Sequence, residues 1–307
     1  MRIFVTGATG YVGFSVAAAL RRAGHEVWGL VRSAEKAVRL AKREIHPVVG
    51  TLQDTESFRE TVDRCSVLVH AAVDYTVDTA ALDRETVEFL LSRSRAEFPK
   101  TLVYTSGVWI YGATRDGKAD ESSPLRPIRA AAQRSATEKL VLEAANARGL
   151  VLRPGCVYGK QGGLTGLFFS AAEMGAAGDG DDGGVIKVVG DLRARWAMVH
   201  ADDLAEAYVR AIDKGASGIF NVVDRSRCAI GSMARAAARA LAVGGEVVSM
   251  TPEEAAQAFG PLAEGLALDQ HVDASKIARQ LGWNPRHGGF VDGVAEYCAS
   301  WKASRPG

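Results

Sequence analysis

Three glycines near the start of the chain have a spacing that suits the binding of a dinucleotide. Gly7, Gly10 and Gly13 lie in the run TGATGYVG, between an apolar stretch at residues 3–5 and an amphipathic stretch at residues 11–23. A pyrophosphate needs bare backbone N–H groups and the positive end of a helix, and side chains would block its approach. We therefore expect Gly7 to permit a tight turn, Gly10 the approach of the pyrophosphate, and Gly13 the packing of helix on strand.

The residues that follow the second predicted strand bear on which dinucleotide binds. An acidic residue there would hydrogen-bond the adenosine ribose and repel a 2′-phosphate. This chain instead has Arg32 and Ser33, with no acid before Glu35. A guanidinium pairs with a phosphate, and a serine hydroxyl can donate to it. The sequence predicts NADP(H) as the cofactor; the alternative is NAD, with Arg32 a solvated surface residue.

The composition is that of a globular protein without a broad surface for polyanions. The 307 residues are 47% hydrophobic and 24% charged, with a formal net charge of +1, which argues against nucleic acid or anionic lipid as a partner. No apolar stretch is long enough to span a bilayer. Cys65, Cys156, Cys228 and Cys298 form no CxxC pair. Free thiols in the cytoplasm are therefore expected, no metal site is predicted, and a homodimer is left open.

Apolar and amphipathic stretches alternate along most of the chain. Strands are predicted at residues 3–5, 27–31, 48–49, 67–70, 102–105, 151–152 and 219–223. Helices are predicted at residues 11–23 and 78–97, and through Ala136, Leu140, Ala144 and Ala147, and a strand–helix unit at residues 196–214. This alternation predicts an α/β fold in which helices cover both faces of a parallel sheet.

The pattern changes after residue 158. Residues 159–195 are rich in glycine, include the tract GDGDDGG at 178–184 and lack regular periodicity, which predicts a loop or lid over a site. The run TPEE at residues 251–254 predicts the start of a helix. Phe290, Val294, Cys298 and Trp301 are predicted to share one face of a C-terminal helix.

Six motifs in order carry a resemblance to a known family. They are TGATGYVG at 6–13, VLVHAAV at 67–73, YTSGVWIYG at 104–112, LRPGCVYG at 152–159, MVHADDLAEAY at 198–208 and LGWNP at 281–285. Together they resemble the extended short-chain dehydrogenase/reductase family, of the NAD-dependent epimerase/dehydratase type. The resemblance implies a Rossmann-type doubly wound sheet at residues 1–158 plus 196–225, which binds the dinucleotide. It also implies a smaller, interleaved substrate-binding region at residues 159–195 plus 226–307.

The resemblance also implies which residues line the cofactor site. Besides the three glycines, Arg32 and Ser33, they are Thr9, Tyr11, Val12, Thr51, Leu52, Ala71, Ala72, Val73, Thr105, Arg134, Pro154, Gly155 and Cys156. Ala71 and Ala72 are expected beside the cofactor, and residues 154–156 near the nicotinamide. Thr51 stands where the family usually has an aspartate that reaches the adenine.

The family's catalytic set is incomplete in this chain. The family uses a Ser or Thr that holds the substrate oxygen, a Tyr that exchanges its proton, and a Lys four residues later that lowers the pKa of the Tyr. The Ser/Thr position falls on Gly107, with Ser106 its neighbour. One register of the next helix puts Ala130 and Arg134 at the Tyr and Lys positions, and the other gives Ala132 and Ala136.

A proton donor must therefore come from elsewhere, because a guanidinium does not release a proton near neutral pH. Tyr75 is the first candidate; Tyr111 and Tyr158 follow, although a packed aromatic with a bound hydroxyl suits both better. The catalytic set is predicted as Ser106, Tyr75 and Arg134.

Three functions stay open. They are an NAD(P)-dependent oxidoreductase for a small carbonyl or alcohol substrate, a sugar-nucleotide epimerase or dehydratase, and a non-catalytic NADP-binding regulator. Arg193 and Arg195 bear on the second function, since the matching region of the family often holds a diphosphate.

Overall fold

A computed structural model describes residues 1–74, 77–114, 117–160, 162–176 and 184–305. The strands are β1 (Arg2–Thr6), β2 (Glu26–Val31), β3 (His46–Val49), β4 (Val67–His70), β5 (Lys100–Thr105), β6 (Ala147–Pro154), β7 (Cys156–Tyr158), β8 (Ile186–Val188), β9 (Met198–His200), β10 (Gly218–Val222) and β11 (Val247–Ser249). The helices are α1 (Tyr11–Arg22), α2 (Ala34–Ala41), α3 (Arg59–Arg64), α4 (Thr79–Ser92), α5 (Arg134–Leu142), α6 (Gly166–Ala176), α7 (Ala201–Asp213), α8 (Ile230–Leu241), α9 (Pro252–Phe259), α10 (Leu262–Leu266), α11 (Ser275–Leu281) and α12 (Val294–Ala303). Short 3-10 helices span Thr55–Phe58, Val108–Tyr111, Arg129–Ala131 and Gly163–Thr165.

Seven of the strands form one parallel sheet in the order β10-β6-β5-β4-β1-β2-β3. Alternate side chains of each strand face opposite layers of helices. In β1, Ile3 and Val5 pack in the core that holds Leu20 of α1, whereas Phe4 packs in the core that holds Leu90 of α4. The doubly wound α/β fold predicted from the alternation of strands and helices is confirmed.

The predicted ends of two helices are wrong. Helix α4 ends at Ser92, five residues before residue 97, and α5 ends at Leu142, so that Ala144 lies outside it and Ala147 begins β6. The side-chain amide of Asn146 donates to the carbonyls of Leu91 (2.9 Å) and Ser94 (3.0 Å). This contact between distant segments satisfies carbonyls at the end of α4, and a helical period within either segment could not reveal it.

The loop predicted at residues 159–195 is also wrong in part, because α6 and β8 lie within it. Phe168, Phe169, Ala171 and Ala172 of α6 are all buried, in one core with residues of α8 and α12. A helix buried on most of its circumference has no polar face, and so its sequence shows no amphipathic period. Of the tract 178–184, only Gly184 is among the described residues.

The C-terminal predictions hold with one correction. Helix α9 begins with the capping box of Thr251 and Glu254, as the run TPEE predicts. Cys298 and Trp301 are buried on α12, but Phe290 precedes the helix and joins the same core from a loop. None of the helices in the described ranges is long and apolar enough to cross a membrane.

Candidate functional site

The glycine turn joins β1 to α1 at the point where the sheet order reverses direction. Gly7 has a φ of +69°, and a Cβ there would stand 2.6 Å from the Ala71 carbonyl oxygen. A Cβ on Gly13 would stand 2.2 Å from the carbonyl oxygen of Gly7. Both positions thus require glycine, which confirms the predicted tight turn and the close packing of helix on strand.

The remaining glycine of the turn, Gly10, leaves the start of α1 open. Gly10 is the N-cap residue and has no side chain to occupy the free N–H groups of the first turn, which also contains no acid. Strands β2 and β4 lie on either side of β1, so a crevice opens above this turn. A bare helix start in such a crevice fits a pyrophosphate, and therefore a dinucleotide.

At the predicted adenosine end, Arg32 is exposed and its guanidinium lies 3.7 Å from the Asp74 carboxylate. Ser33 caps α2, its hydroxyl oxygen accepting from the backbone N–H of Lys36 at 3.4 Å. The sequence reasoning missed Asp74, which reaches Arg32 from the segment after β4. Thr51 and Leu52 follow β3, next to this end of the sheet.

A second guanidinium that the sequence reasoning missed belongs to Arg39 of α2. It donates a 3.1 Å hydrogen bond to the carbonyl of Thr9 in the glycine turn, and it lies 3.9 Å from the centre of the Phe14 ring. No local pattern marks Arg39, because its contact with Thr9 joins α2 to a segment 30 residues earlier in the chain.

A cavity of about 910 Å³ begins beside the glycine turn and extends over the carboxyl ends of β5 and β6. It is lined by Tyr11, Val12, Val73, Asp78, Thr79, Ala80, Ser106, Gly107, Val108, Trp109, Arg129, Ala130, Ala131, Gln133, Arg134, Pro154, Gly155, Cys156, Val157, Gly163, Leu164, Phe259, Pro261 and Leu262. The predicted residues 154–156 thus lie in the same cavity as the start of α1.

Two predicted catalytic side chains, Ser106 and Arg134, lie together in this cavity. Ser106 is 5% exposed, and its hydroxyl has no hydrogen-bond partner among the described residues. Such an orphaned polar group calls for a ligand or water as its partner. The guanidinium of Arg134 donates a 2.7 Å hydrogen bond to the carbonyl of Thr105, the residue before Ser106.

The structure favours one of the two registers for the helix after β5. Ala130 and Arg134 both line the cavity, whereas Ala132 and Ala136 are exposed and lie outside it. In the register that both cavity residues favour, Ala130 places a methyl group inside the cavity at the predicted tyrosine position. No hydroxyl stands at that position.

The candidate tyrosines are placed as follows. Tyr75 lies outside the described residues. Tyr111 is buried and donates to the Asn221 side-chain carbonyl at 2.8 Å, and Tyr158 is buried against the rings of His200 and Tyr297. Neither Tyr111 nor Tyr158 lines the cavity. Tyr111 is a packed aromatic with a bound hydroxyl, as expected, whereas Tyr158 is packed but its hydroxyl has no hydrogen-bond partner among the described residues.

Two further cavity groups, the thiol of Cys156 and the hydroxyl of Tyr11, both keep their protons near neutral pH. Burial raises the pKa of the Cys156 thiol to about 12, so the thiol stays protonated near neutral pH. The hydroxyl of Tyr11 donates a 2.7 Å hydrogen bond to the carbonyl of Gly159, and burial raises the pKa of this tyrosine.

A buried polar network beneath the crevice is another feature that the sequence reasoning missed. The Thr6 hydroxyl lies 2.8 Å from Nδ1 of His70, and Nε2 of His70 lies 3.2 Å from the Asp83 carboxylate. Asp83 also accepts from Tyr104 (2.8 Å) and Thr137 (3.1 Å). Burial alone would raise the pKa of Asp83, but the bonds from His70 and Tyr104 outweigh it and lower that pKa. The network ties the end of β1 to α5, which carries a cavity residue.

Comparisons with known proteins agree with this geometry. The chain is 28% identical over 301 residues to an uncharacterized protein of Schizosaccharomyces pombe, across 96% of this chain and 98% of that protein. It is 27% identical over 318 residues to a 3-diazoavenalumate denitrifying reductase from a Streptomyces species, across 96% and 99% of the two chains.

A solved structure and a family model also match nearly the whole chain or most of it. The UDP-glucose 4-epimerase of Thermus thermophilus, solved in complex with NAD, has a TM-score of 0.78 at 24% identity and covers 99% of this chain and 100% of its own. A family model described as the NAD dependent epimerase/dehydratase family matches residues 3–222, from β1 to the end of β10. Because that match covers most of the chain, including the glycine turn and the strands of the seven-stranded sheet, the chain belongs to the NAD-dependent epimerase/dehydratase family.

Proposed function

We propose that this protein is an NADP(H)-dependent reductase for a small carbonyl compound. One observation carries the proposal: a single cavity contains both the start of α1 and the orphaned buried hydroxyl of Ser106. A hydride donor and an acceptor must share one cavity that excludes bulk water. The similarity to the Streptomyces reductase supports a reduction in place of an epimerisation.

The residues of the cavity divide the chemistry between them. When bound, NADPH would supply a hydride to the carbonyl carbon of the substrate, and the carbonyl oxygen would take a proton to become a hydroxyl. Ser106 donates a hydrogen bond to that oxygen. Arg134 anchors the nicotinamide ribose or a substrate anion, since its charge is fixed. The proton comes from Tyr75 or from water.

Two arginines support NADP(H) over NAD. The guanidinium of Arg32 extends from the end of β2, and that of Arg39 contacts the glycine turn, and we infer that both would offer positive charge to a 2′-phosphate. Asp74 opposes them, because its carboxylate already attracts Arg32. We infer that a 2′-phosphate, with its double charge, displaces Asp74 as the partner of Arg32.

We also infer that the chain divides its work between two regions. Residues 1–158 plus 196–225 would bind the dinucleotide, and residues 159–195 plus 226–307 would enclose the substrate. In support, the cavity takes Tyr11, Ser106 and Arg134 from the first region, and Leu164 and Phe259 from the second.

A sugar-nucleotide epimerase or dehydratase is the second candidate, favoured by the similarity to the Thermus thermophilus epimerase. Against it, Ala130 stands at the position of the proton-exchanging tyrosine. Arg193 and Arg195 do not line the cavity; Arg193 is 91% exposed and pairs with Asp191.

The test combines binding with turnover. Calorimetry with NADPH, NADP⁺, NADH and NAD⁺ identifies the cofactor, and NADPH oxidation is then followed with aldehydes, ketones and UDP-glucose. We expect oxidation with a carbonyl compound and a fall in kcat of about 10²-fold or more in Ser106→Ala. Conversion of UDP-glucose without net oxidation would favour the epimerase. Tight NADPH binding without any turnover would favour the non-catalytic regulator.

A further inference from the structure

The part of the cavity that lies beyond the glycine turn is mainly apolar and is bounded by aromatic rings. Trp109 follows β5, while Phe259 is the last residue of α9 and Leu262 the first residue of α10. The Trp109 ring packs against the backbone of α10, because a Cβ on Gly265 would stand only 2.7 Å from it. A ring fixed in this way suits a flat apolar ligand.

The charges of this cavity are unbalanced. Arg129 and Arg134 line it, and among the described residues neither guanidinium forms an ion pair with a carboxylate. Among the described lining residues, Asp78 carries the one carboxylate, and one of its oxygens accepts from the backbone N–H groups of Ala80 (3.0 Å) and Ala81 (3.1 Å). A mainly apolar cavity with two cations and one capping carboxylate favours an anionic ligand.

The two guanidinium groups belong to opposite ends of one short segment. Arg134 is bonded to Thr105 beside Ser106, at the predicted carbonyl site. Arg129 is fixed at the α10 end, where its backbone N–H donates a 3.0 Å hydrogen bond to the carboxylate of Glu264. Four residues, 130–133, separate them in sequence. Of these, Ala130 has a small side chain and Ala131 is buried.

We propose that the substrate is a small, mainly aromatic carbonyl compound that carries a carboxylate remote from the carbonyl, and that Arg129 binds this carboxylate. This rests on the reductase function proposed above. The reacting carbonyl lies at Ser106, the ring packs against Trp109, and the carboxylate accepts charge-assisted hydrogen bonds from Arg129. A carboxylate in a mainly apolar cavity needs such a partner, which gives specificity for acids over esters.

The probes are 4-formylbenzoate, 4-acetylbenzoate and 6-acetyl-2-naphthoate, each compared with its methyl ester. Calorimetry measures their binding with and without NADP⁺. We expect at least one acid to bind about tenfold or more tightly than its ester, which is the effect of one charge-assisted hydrogen bond. If no acid binds more tightly than its ester, the proposal is wrong.

Two variants assign the preference to a residue. Arg129→Gln should remove it and should keep the fold, because Arg129 is exposed and its backbone bond to Glu264 remains. Arg126→Gln is the matched control: Arg126 is also exposed, three residues earlier, and does not line the cavity. A preference for acids that survives in Arg129→Gln would overturn the role of this residue.

NADPH oxidation, measured separately, distinguishes this proposal from the reductase function. Tighter binding of acids without oxidation of NADPH would contradict the reductase and leave the acid site standing. Equal kcat/KM values for acid and ester, unchanged in Arg129→Gln, would contradict the acid site and leave the reductase standing.

Discussion

The guanidinium of Arg32 lies 3.7 Å from the carboxylate of Asp74, although the two residues follow different strands. The absence of an acid directly after β2 is the sequence argument for NADP(H), yet the fold brings an acid to the same place from the end of β4. The choice of cofactor therefore depends on whether Arg32 keeps Asp74 or takes a 2′-phosphate as its partner.

We predict that the unmutated protein binds NADPH more tightly than NADH. Arg32→Asp should weaken NADPH by about 1–3 kcal/mol, the range for charge-assisted hydrogen bonds, and should leave NADH nearly unchanged. Calorimetry measures both affinities. Arg43→Asp, an exposed arginine outside the crevice, is the control. Equal affinities for the two cofactors in the unmutated protein would refute the prediction.

The reciprocal variant tests the same competition from the other side. Asp74→Asn removes the negative charge beside Arg32, so the affinity for NADPH should rise while that for NADH stays the same. A weaker affinity for NADPH in Asp74→Asn would mean that Asp74 positions Arg32 and does not compete for it.

A second prediction concerns the opening at the start of α1. In Gly10→Val, a branched side chain would stand where the pyrophosphate approaches, so the variant should lose both NADPH and NADH. A Cβ at residue 10 meets the Gly7 carbonyl oxygen at 3.2 Å, so the fold should survive with a small adjustment. Calorimetry and circular dichroism check binding and folding together. A folded variant with unchanged affinity would remove the pyrophosphate from this turn.

The glycine turn could be predicted because its requirements are local. Gly10 and Gly13 both approach the carbonyl of Gly7 within the same turn, and the spacing of the three glycines reveals the turn, although Gly7 itself also packs against Ala71 of a distant segment. Asp74 and Arg39 could not be assigned in the same way, since their contacts with Arg32 and Thr9 join segments far apart in sequence.

The cavity shows the same division between local and distant contacts. Ser106 is predicted from the motif at the end of β5 and Arg134 from the register of the next helix, and both are local in sequence. The far wall, with Phe259 and Leu262, comes from a region in which periodicity gave no hint of a site. The apolar lining of the cavity therefore emerged only from the structure.

A third prediction concerns acid stability and rests on His200 at the start of α7. Its Nδ1 accepts a 3.1 Å hydrogen bond from the backbone N–H of Asp202, and its ring stacks on that of His287. The pKa of His200 is lowered to about 4, mainly by burial and then by the positive charges of His287 and Lys160. The carboxylates of Asp202 and Asp203 raise this pKa, but by less. A histidine whose pKa falls on folding stabilises the protein above about pH 6.5. That stability is lost as the pH falls from about 6.5 to about 4.

His200→Asn keeps an acceptor for the N–H of Asp202 but cannot be protonated. Urea unfolding at pH 7 and pH 4.5 should show that the unmutated protein loses more free energy of unfolding than the variant, by about 1–3 kcal/mol. Asp224 acts in the opposite direction: burial raises its pKa to about 6, so its stabilisation is lost as the pH rises. This effect is common to both proteins and cancels in the comparison. Equal losses in the two proteins would exclude His200 as the source.

The last prediction concerns the proton that the missing tyrosine would supply. With Ala130 at that position and the Tyr11 hydroxyl bound to Gly159, Tyr75 remains the predicted donor from the sequence. Tyr75→Phe deletes only the hydroxyl, so kcat should fall by about 10²–10⁴-fold while the affinity for NADPH stays constant. Tyr111→Phe is the control, because its hydroxyl bonds Asn221 away from the cavity and its loss should affect stability more than kcat. A rise in KM alone would make Tyr75 a lining aromatic, and unchanged turnover would leave water as the donor, oriented by Ser106.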